Sequence, residues 1–233
     1  MKFLKQKVVT DIENFEKVYG FDTNEVQHNG ALFPNNMRCL LIGQSGCGKT
    51  NTLIALLLKE WGTTLRNVYI YTQTLQQKKY QLLDNVIKLI PELSMTVFSS
   101  ENPIVPEDCE KFSTIIFDDI YGSGEKNHDI VRQFFSRGRH RALNCYYIGQ
   151  SYCKIPRHLI RDNANFIILF KNDELSRKHI FEEHVNVDMD FKTFSKMCQE
   201  IWEHDYDFLV IDTTREKDNG KYRKGFDNFV IDI

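Results

Sequence analysis

The eight residues "GQSGCGKT" (43–50) constrain the fold of this chain more than any other segment does. They follow the apolar run "MRCLLI" directly and open "KTNTLIALLLKEW", whose apolar residues have the spacing of a helix with one buried face. Three glycines let the backbone between strand and helix curl until successive N–H groups point inward. The helix that follows adds the positive end of its dipole at the same place. The segment therefore predicts a strand, an anion-binding loop and a helix in direct succession.

The loop fits the pattern G-x-x-x-x-G-K-[ST] at every fixed position, which is typical of a nucleotide phosphate site. Lys49 is predicted to reach the β- and γ-phosphates of the nucleotide, and Thr50 to hold Mg²⁺. The whole loop is predicted to surround the phosphates, with contacts from Gly43, Gln44, Ser45, Gly46, Cys47, Gly48, Lys49 and Thr50.

A second nucleotide motif follows one strand–helix unit later, where the apolar run "TIIFDD" (114–119) ends in two aspartates. Asp118 is predicted to hold the Mg²⁺ shell, and Asp119 to orient or deprotonate an attacking water. Strands also end in aspartates that merely form turns. Behind a well-formed phosphate loop, the functional interpretation is favoured.

Short apolar strands alternate with amphipathic helices along the rest of the chain, which predicts an α/β fold with a mostly parallel sheet covered by helices on both faces. We expect residues 1–36 to form an N-terminal helical extension and residues 37–233 a single P-loop domain, with a C-terminal β-hairpin from about residue 207 that turns at "NG". The strands are predicted at 37–43, 67–72, 112–120, 144–150, 165–171 and 207–213. The helices are predicted at 49–61, 76–90, 128–138, 174–184 and 190–203.

Composition and missing motifs remove several classes of protein. The six cysteines contain no Cys-x-x-Cys pair, which indicates reduced thiols in a cytosol-like compartment. The N-terminus shows no secretory signal, and the apolar runs are too short to span a bilayer, so no stable membrane insertion is expected. "DIYG" matches the D-x-x-G of regulatory GTPases, but their Asn-Lys-x-Asp guanine reader is absent. The LSGGQ-like signature of transporter ATPases is absent too.

A basic stretch, 137–161, contains six Lys/Arg and no acid, and it encloses the predicted strand 144–150. Phosphoryl transfer is limited by charge on the equatorial phosphate oxygens, which an arginine from a neighbouring subunit can relieve. Arg139 and Arg141, with Arg137 as a third candidate, could be that arginine, while Gln150 at the strand's far end could sense the γ-phosphate. One strand would then serve two sites in a ring. Alternatively, the arginines contact a phosphate backbone or solvent.

Together, "LIGQSGCGKT", "IIFDD", "FFSRGRHRALNCYYIGQS" and "YCKIPRHLIRDNANFIILF" resemble the genome-packaging ATPases of large DNA viruses and related virus-like transposons, the poxvirus-type branch of the FtsK–HerA superfamily. The resemblance runs from about residue 37 to 171. It implies a RecA-like core with ATP and Mg²⁺ as cofactors. It further implies a homo-oligomeric ring that moves double-stranded DNA into a preformed viral capsid. The viral capsid or its portal vertex would be the partner on which the ring docks. Such a protein works in the viral factory of the host cytoplasm or in the virion.

By this resemblance Lys49 and Thr50 belong to the first nucleotide motif and Asp118 and Asp119 to the second. Gln150 matches the sensor, and an arginine within 137–141 matches the finger. Much of the superfamily has Asp-Glu where this chain has Asp-Asp. The shorter second acid would lie further from the attacking water, which weakens its assignment as the base.

Lys154, Arg157 and Arg161 could line a central DNA channel, or they could belong to a surface helix and pair with acids such as Asp162. Two other functions stay open at this point. One is a P-loop kinase acting on a small molecule or nucleotide, since such kinases also carry arginine-rich lids. The other is a nucleotide-dependent capsid adaptor that is not a motor.

Overall fold

A nine-stranded sheet runs through the part of the chain that the computed structural model describes, namely residues 29–72, 78–118, 120 and 125–231. Its strands in chain order are β1 Arg38–Ile42, β2 Val68–Thr72, β3 Met95–Phe98, β4 Thr114–Asp118, β5 Asn144–Gly149, β6 Phe166–Phe170, β7 Phe208–Asp212, β8 Tyr222–Lys224 and β9 Asn228–Phe229. The spatial order is β3-β2-β4-β5-β1-β6-β7-β8-β9. The first six strands in this order pair in parallel, and the last three join them antiparallel.

Helices cover both faces of the sheet. This arrangement follows from the near-continuous apolar runs of the strands, whose side chains need burial on both sides. The helices are α1 Lys49–Leu58, α2 Lys78–Lys88, α3 Glu125–Arg137, α4 Glu174–Ile180 and α5 Phe191–Ile201. From β1, Cys39 and Leu41 pack in one core cluster with α1 and α2. Leu40 and Ile42 point the other way into a second cluster with α3, α4 and α5. The predicted α/β fold, with a mostly parallel sheet between helices, is confirmed.

The parallel order brings three strand ends together at one edge of the sheet. β5 lies between β1 and β4, with Ile42 opposite Gly149 and Asp118 opposite Ile148. The chain segments that follow β1 and β5, and the last residue of β4, are therefore neighbours. Ligands of open α/β sheets bind at this carboxyl edge.

Some elements differ from the sequence-based predictions. The strand β3 was not predicted, because its exposed Thr96 and Val97 lie at the edge of the sheet and give it no continuous apolar run. The predicted terminal hairpin is a three-stranded meander, since Gly225 takes φ +66° and divides its second arm into β8 and β9. Most of the predicted extension 1–36 lies outside the described residues. Among the residues described, no helix has the length and apolarity that crossing a membrane requires.

A buried arginine joins the meander to the segment that precedes β1. Arg223 in β8 is fully buried, and its guanidinium donates to the Asp212 carboxylate in β7 at 2.6 Å. It also donates to the carbonyl oxygens of Gly220 at 2.7 Å and Leu32 at 2.6 Å. These partners satisfy a charge that burial would otherwise make strongly unfavourable.

Removing this guanidinium should destabilise the fold strongly. We expect Arg223→Ala to lower the free energy of unfolding by about 3 kcal/mol, because the buried Asp212 carboxylate would lose its shorter ion pair and keep only Arg215, at 3.3 Å, as a cationic partner. Urea denaturation followed by circular dichroism measures the change. The matched control is Arg157→Ala, whose exposed ion pair with Asp162 has a 3.4 Å separation and should contribute about 1 kcal/mol or less. Equal losses in the two variants would contradict the role given to Arg223.

Candidate active site

A polar cleft of about 280 Å³ lies at the carboxyl edge of the sheet, above β1, β4 and β5. We call it the phosphate cleft. It brings together four residues that the sequence predicted to act together: Lys49, Thr50, Asp118 and Gln150. The remaining lining residues are Ser45, Gly46, Gly48, Lys79, Ile148 and Gly149.

The loop between β1 and α1 needs its glycines for specific reasons. Gly46 and Gly48 have φ values of +80° and +106°, a region that residues with side chains rarely adopt. At Gly43 a Cβ atom would lie 2.6 Å from the Cβ of Phe170 and 2.7 Å from the Sγ of Cys47. The loop therefore combines a left-handed backbone with a tight approach to β6.

Lys49 is 9% exposed and points back into the loop. Its ammonium group donates to the carbonyl oxygens of Gly43 at 2.6 Å and Gln44 at 2.7 Å, and it lies 3.8 Å from the Sγ of Cys47. Phosphate oxygens carry full charge and would be stronger partners than these carbonyls. The loop thus holds the Lys49 ammonium group where it can contact the phosphates of a bound nucleotide.

Thr50 and Asp118 supply a hydroxyl and a carboxylate to the same cleft. Mg²⁺ prefers hard oxygen ligands and takes one or two carboxylates together with substrate phosphates and waters. This donor set therefore fits Mg²⁺. The described residues contain no cluster of three or more His, Cys, Asp or Glu that could hold a metal by itself, which a magnesium site of this kind does not need.

Tyr80 in α2 contacts the metal-site carboxylate, and the sequence reasoning missed it. Its hydroxyl donates to Oδ2 of Asp118 at 2.5 Å, and its ring is buried against the core. A carboxylate has about four lone-pair positions, so this hydrogen bond uses one of them and fixes the orientation of the group. The sequence signal is a single aromatic residue in the otherwise polar start of α2, "KKYQ", which nothing connects to a strand end before the fold is known.

Lys79 is the second residue that the sequence reasoning missed. It is exposed at the start of α2 and lines the phosphate cleft. The cleft therefore has an amino group on the wall formed by α2, in addition to the one held in the loop. Two cations around one cleft favour a ligand with several negative charges.

Gln150 follows β5 and is exposed in the cleft. The backbone N–H of Gly43 donates to the carbonyl oxygen of Gly149 at 3.2 Å, which ties the start of the phosphate loop to the end of β5. Because β5 lies between β1 and β4, the amide side chain emerges between the loop and Asp118. Asp119, the predicted base, lies outside the described residues, and its role stays a prediction.

The three candidate finger arginines precede β5, at the opposite edge of the sheet from the phosphate cleft. Arg137 pairs with Glu107 at 3.1 Å, and Arg141 donates to the carbonyl oxygen of Cys109 at 2.7 Å. Arg139 is exposed, and its side chain forms no hydrogen bond or ion pair with the residues that the structure describes. None of the three lines the phosphate cleft. Within one chain, these arginines therefore do not contact a nucleotide bound in that cleft.

The predicted DNA-contacting residues divide into two groups. Lys154 and Arg157 are exposed, and Arg157 lies 3.4 Å from Asp162 in an exposed ion pair. The predicted surface helix here is a series of short turns, with 3₁₀ segments at Tyr152–Lys154 and Arg161–Asn163.

Arg161, by contrast, is 9% exposed and faces the interior. It pairs with Glu183 at 2.9 Å and lies over the ring of Tyr152 at 4.8 Å. The Tyr152 hydroxyl also lies 2.7 Å from Nε2 of His184, whose pKa is lowered to about 4 by burial and by the nearby Lys221 and Arg161. This buried network does not present Arg161 to DNA, so Lys154 and Arg157 are the predicted DNA-contacting residues that are exposed.

The hydrogen bond from Tyr80 gives a prediction about the metal site. We expect Tyr80→Phe to lower Mg²⁺-dependent ATP turnover by about ten- to a hundredfold and to raise the Mg²⁺ concentration needed for half-maximal rate, because a hydrogen bond to a charged group contributes about 1.5–3 kcal/mol. Magnesium titrations of initial rates measure both changes.

Tyr71→Phe is the matched control, because it also removes a buried tyrosine hydroxyl, which donates to Asn127 away from the cleft. If both variants have the same magnesium dependence as the unaltered chain, Tyr80 does not position the metal-site carboxylate.

Solved structures resemble the chain over most of its length. The genome packaging NTPase B204 from Sulfolobus turreted icosahedral virus 2, in complex with sulfate, has a TM-score of 0.55 at 12% identity, covering 85% of this chain and 99% of that one. B204, the DNA-packaging ATPase from Sulfolobus turreted icosahedral virus, has a TM-score of 0.52 at 14% identity, covering 77% and 94%. ATPases 2 and 3 of EssC from Geobacillus thermodenitrificans have a TM-score of 0.50 at 13% identity, covering 79% and 38%. At these identities the likeness concerns the fold, which is that of RecA-like P-loop ATPases.

The sequence itself is similar to one protein family. No curated protein matches the chain. The family model described as "Poxvirus A32 protein" matches residues 25–181, which is more than half of the chain and includes both nucleotide motifs, the basic stretch and Gln150. The chain therefore belongs to the poxvirus A32 protein family, as its motifs indicated.

Proposed function

We propose that this protein is the ATP-hydrolysing subunit of a homo-oligomeric ring that moves double-stranded DNA into a preformed viral capsid. One observation carries the proposal: in a member of the A32 family, Lys49, Thr50, Asp118 and Gln150 converge on a single cleft across three adjacent strands. The two B204 proteins with this fold are named as genome-packaging enzymes, and one of them is in complex with ATP-gammaS.

Within one subunit, the groups of the phosphate cleft can bind and orient a nucleotide. The N–H groups of the loop and the start of α1 surround the phosphates, and Lys49 compensates the charge of the β- and γ-phosphates. Thr50 and Asp118 would hold Mg²⁺, which compensates charge that develops on the transferred phosphoryl group. Asp119 is proposed to orient or deprotonate the attacking water.

Gln150 is the proposed link between the nucleotide and the rest of the motor. Its side chain emerges between the phosphate loop and Asp118, where an amide can donate to the γ-phosphate before cleavage and lose that partner afterwards. The strand behind it leads back to the arginines at the far edge of the sheet. A displacement of Gln150 on loss of the γ-phosphate would thus be transmitted along β5 to the surface that carries the arginines.

Completion of the site requires a neighbouring subunit. Within the described residues, the basic groups of the phosphate cleft are Lys49 and Lys79, and no arginine lines it. Arginine fingers supplied in trans raise the rate of phosphoryl transfer by about 10³–10⁵-fold. Arg139 is the proposed finger, since the guanidinium groups of Arg137 and Arg141 are already engaged within their own subunit.

The remaining parts of the proposal concern partners and place. Lys154 and Arg157 are exposed basic groups that could contact the phosphate backbone of DNA in the ring channel. The ring is proposed to dock on the capsid or its portal vertex and to act in the viral factory of the host cytoplasm or within the virion.

ATP hydrolysis with and without double-stranded DNA tests the motor. We expect DNA to stimulate turnover and the specific activity to rise steeply with protein concentration, because each site needs a neighbour. Lys49→Ala serves as the blank and should abolish turnover. Slow turnover that is indifferent to DNA at every concentration would refute the motor, and phosphorylation of a small-molecule acceptor would identify a kinase instead. Nucleotide binding without turnover would identify an adaptor.

Mixing two inactive variants tests the arginine in trans. Arg139→Ala and Lys49→Ala should each be inactive alone, yet an equal mixture should recover activity. In the mixture, a Lys49→Ala subunit can donate its Arg139 to the intact cleft of an Arg139→Ala neighbour. Arg137→Ala is the matched control, and we expect it to retain most of the activity. Absence of recovery in co-assembled mixtures would exclude Arg139 as the finger.

A further inference from the structure

The chain leaves Gln150 through a short loop of residues 153–160, which leads on to β6. This loop has no acidic residue, and Lys154, Arg157 and His158 are exposed on its surface. Gln150 itself lines the phosphate cleft. The 153–160 loop therefore connects a residue of the cleft to a basic surface, and the way in which its ends are fixed determines how freely Gln150 can move.

Glu183 joins the two ends of the 153–160 loop. At the beginning of the loop, the Tyr152 hydroxyl donates to Oε2 of Glu183 at 2.7 Å. At its end, the Arg161 guanidinium lies 2.9 Å from Oε1 of the same carboxylate. The guanidinium also lies over the ring of Tyr152, 4.8 Å from its centroid. One carboxylate thus closes the loop with one oxygen on each end, and we call these three residues the loop clamp.

The loop clamp is shielded from water. Tyr152 is fully buried, and the side chains of Arg161 and Glu183 are each 10% exposed. The next residue, His184, places its Nε2 atom 2.7 Å from the same tyrosine hydroxyl. Charge-assisted hydrogen bonds are strong, and removal of one partner of a buried ion pair leaves charge without compensation. The clamp is therefore a fixed unit of the fold, unlike an ion pair on the surface.

Glu183 lies in a turn that is wider than an α-helix. Residues Phe181–Val185 continue α4 as a π-helical turn, in which the N–H of Asn186 donates to the carbonyl oxygen of Phe181, five residues back, at 2.9 Å. Such turns are rare and occur frequently at functional sites. Here the turn carries both residues that contact the Tyr152 hydroxyl.

The backbone of the 153–160 loop is strained at one position. Leu159 has a φ of +63°, a left-handed conformation that residues with a Cβ atom seldom adopt. Strain of this kind persists where the surrounding structure imposes it. Ile160 is fully buried beside it, and the Asn163 side chain donates to the carbonyl oxygen of Leu159 at 3.0 Å. The loop is thus held in a defined conformation that depends on fixed ends.

We propose that Glu183 is a positioning residue for ATP hydrolysis, which closes the 153–160 loop and thereby fixes Gln150 against the γ-phosphate. This inference rests on the proposed function, because it takes Gln150 as the group that contacts the γ-phosphate. Glu183 does not line the phosphate cleft and acts through Tyr152, two residues beyond Gln150.

Steady-state ATP hydrolysis by the full chain with Mg²⁺ and double-stranded DNA tests the proposal. Glu183→Gln removes the charge that pairs with Arg161, and Tyr152→Phe removes only a hydroxyl and leaves the ion pair in place. We expect each variant to lower kcat by about tenfold or more, because each loses a hydrogen bond or ion pair of a charged group. KM and the affinity for ATP-γS should stay within about twofold of the unaltered chain, since the phosphate cleft is intact. Calorimetry gives that affinity, and its stoichiometry counts the folded sites.

A double-mutant cycle with Gln150→Ala tests whether Glu183 acts through Gln150. Gln150→Ala alone should lower kcat. Adding Glu183→Gln to it should cause no more than about a twofold further loss, because the group that the clamp positions is already absent. Multiplied losses would show that Glu183 acts independently of Gln150 and would overturn the inference.

Two controls remove similar groups elsewhere. Tyr146→Phe deletes a buried hydroxyl from β5 itself, where it lies 2.7 Å from Oγ1 of Thr63. Glu182→Gln deletes the charge of the residue next to Glu183, whose side chain is 67% exposed. Both controls should keep the kcat of the unaltered chain. A loss in Tyr146→Phe as large as that in Tyr152→Phe would contradict a specific role for the clamp.

The remaining outcomes separate this inference from the proposed function. If the unaltered chain does not hydrolyse ATP, the proposed function fails and the role of Glu183 fails with it. If the unaltered chain hydrolyses ATP and the two clamp variants keep its kcat, the ATPase function stands and the inference is overturned. If the clamp variants bind ATP-γS more weakly or at lower stoichiometry, Glu183 supports the fold or the binding site instead, and the inference is likewise overturned.

Discussion

The position of β5 between β1 and β4 is the constraint on which the rest of the site depends. The phosphate loop follows β1, the metal-site acid ends β4, and the strand between them ends immediately before Gln150. Parallel pairing fixes the register, so that Ile42, Gly149 and the end of β4 lie at one level. The hydrogen bond from the Gly43 N–H to the Gly149 carbonyl then fixes the loop to the strand. The amide reaches the phosphate cleft because of sheet order, without any special conformation of its own segment.

Charge gives a physical reason for the proposed completion of the site by a neighbouring subunit. A magnesium-bound triphosphate keeps negative charge that grows on the equatorial oxygens during transfer. In the described part of the chain, two lysines place positive charge in the phosphate cleft. Lys49 is held by backbone carbonyls in the loop, and Lys79 is exposed on α2. The arginines lie at the other end of β5. In the proposed ring, an arginine therefore reaches a phosphate cleft only when a neighbouring subunit approaches. Hydrolysis then depends on the position of that neighbour.

The sequence was sufficient for the parts of the site that one local segment determines. The phosphate loop is a contiguous pattern in which glycine, lysine and threonine have fixed positions, so Lys49 and Thr50 could be placed before the fold was known. Asp118 was placed because a buried strand ending in an acid is recognisable from its apolar run. Tyr80 and Lys79 could not be placed, because their roles depend on how α2 packs beside β4, a long-range contact without a local signal. The same limit applies to Arg161, whose buried partner Glu183 is distant in sequence.

The elements outside the parallel core are held in place by one buried arginine. Arg223 binds the carbonyl oxygens of Leu32 and Gly220 as well as Asp212, so one buried guanidinium holds together the segment before β1 and the meander. The Phe33 ring from that segment packs 5.3 Å from Phe226 and 6.2 Å from Trp61. The rings of Trp61 and Phe226 are thereby packed against the segment before β1. The short terminal meander is thus held in a defined position beside the parallel core, although none of its residues lines the phosphate cleft.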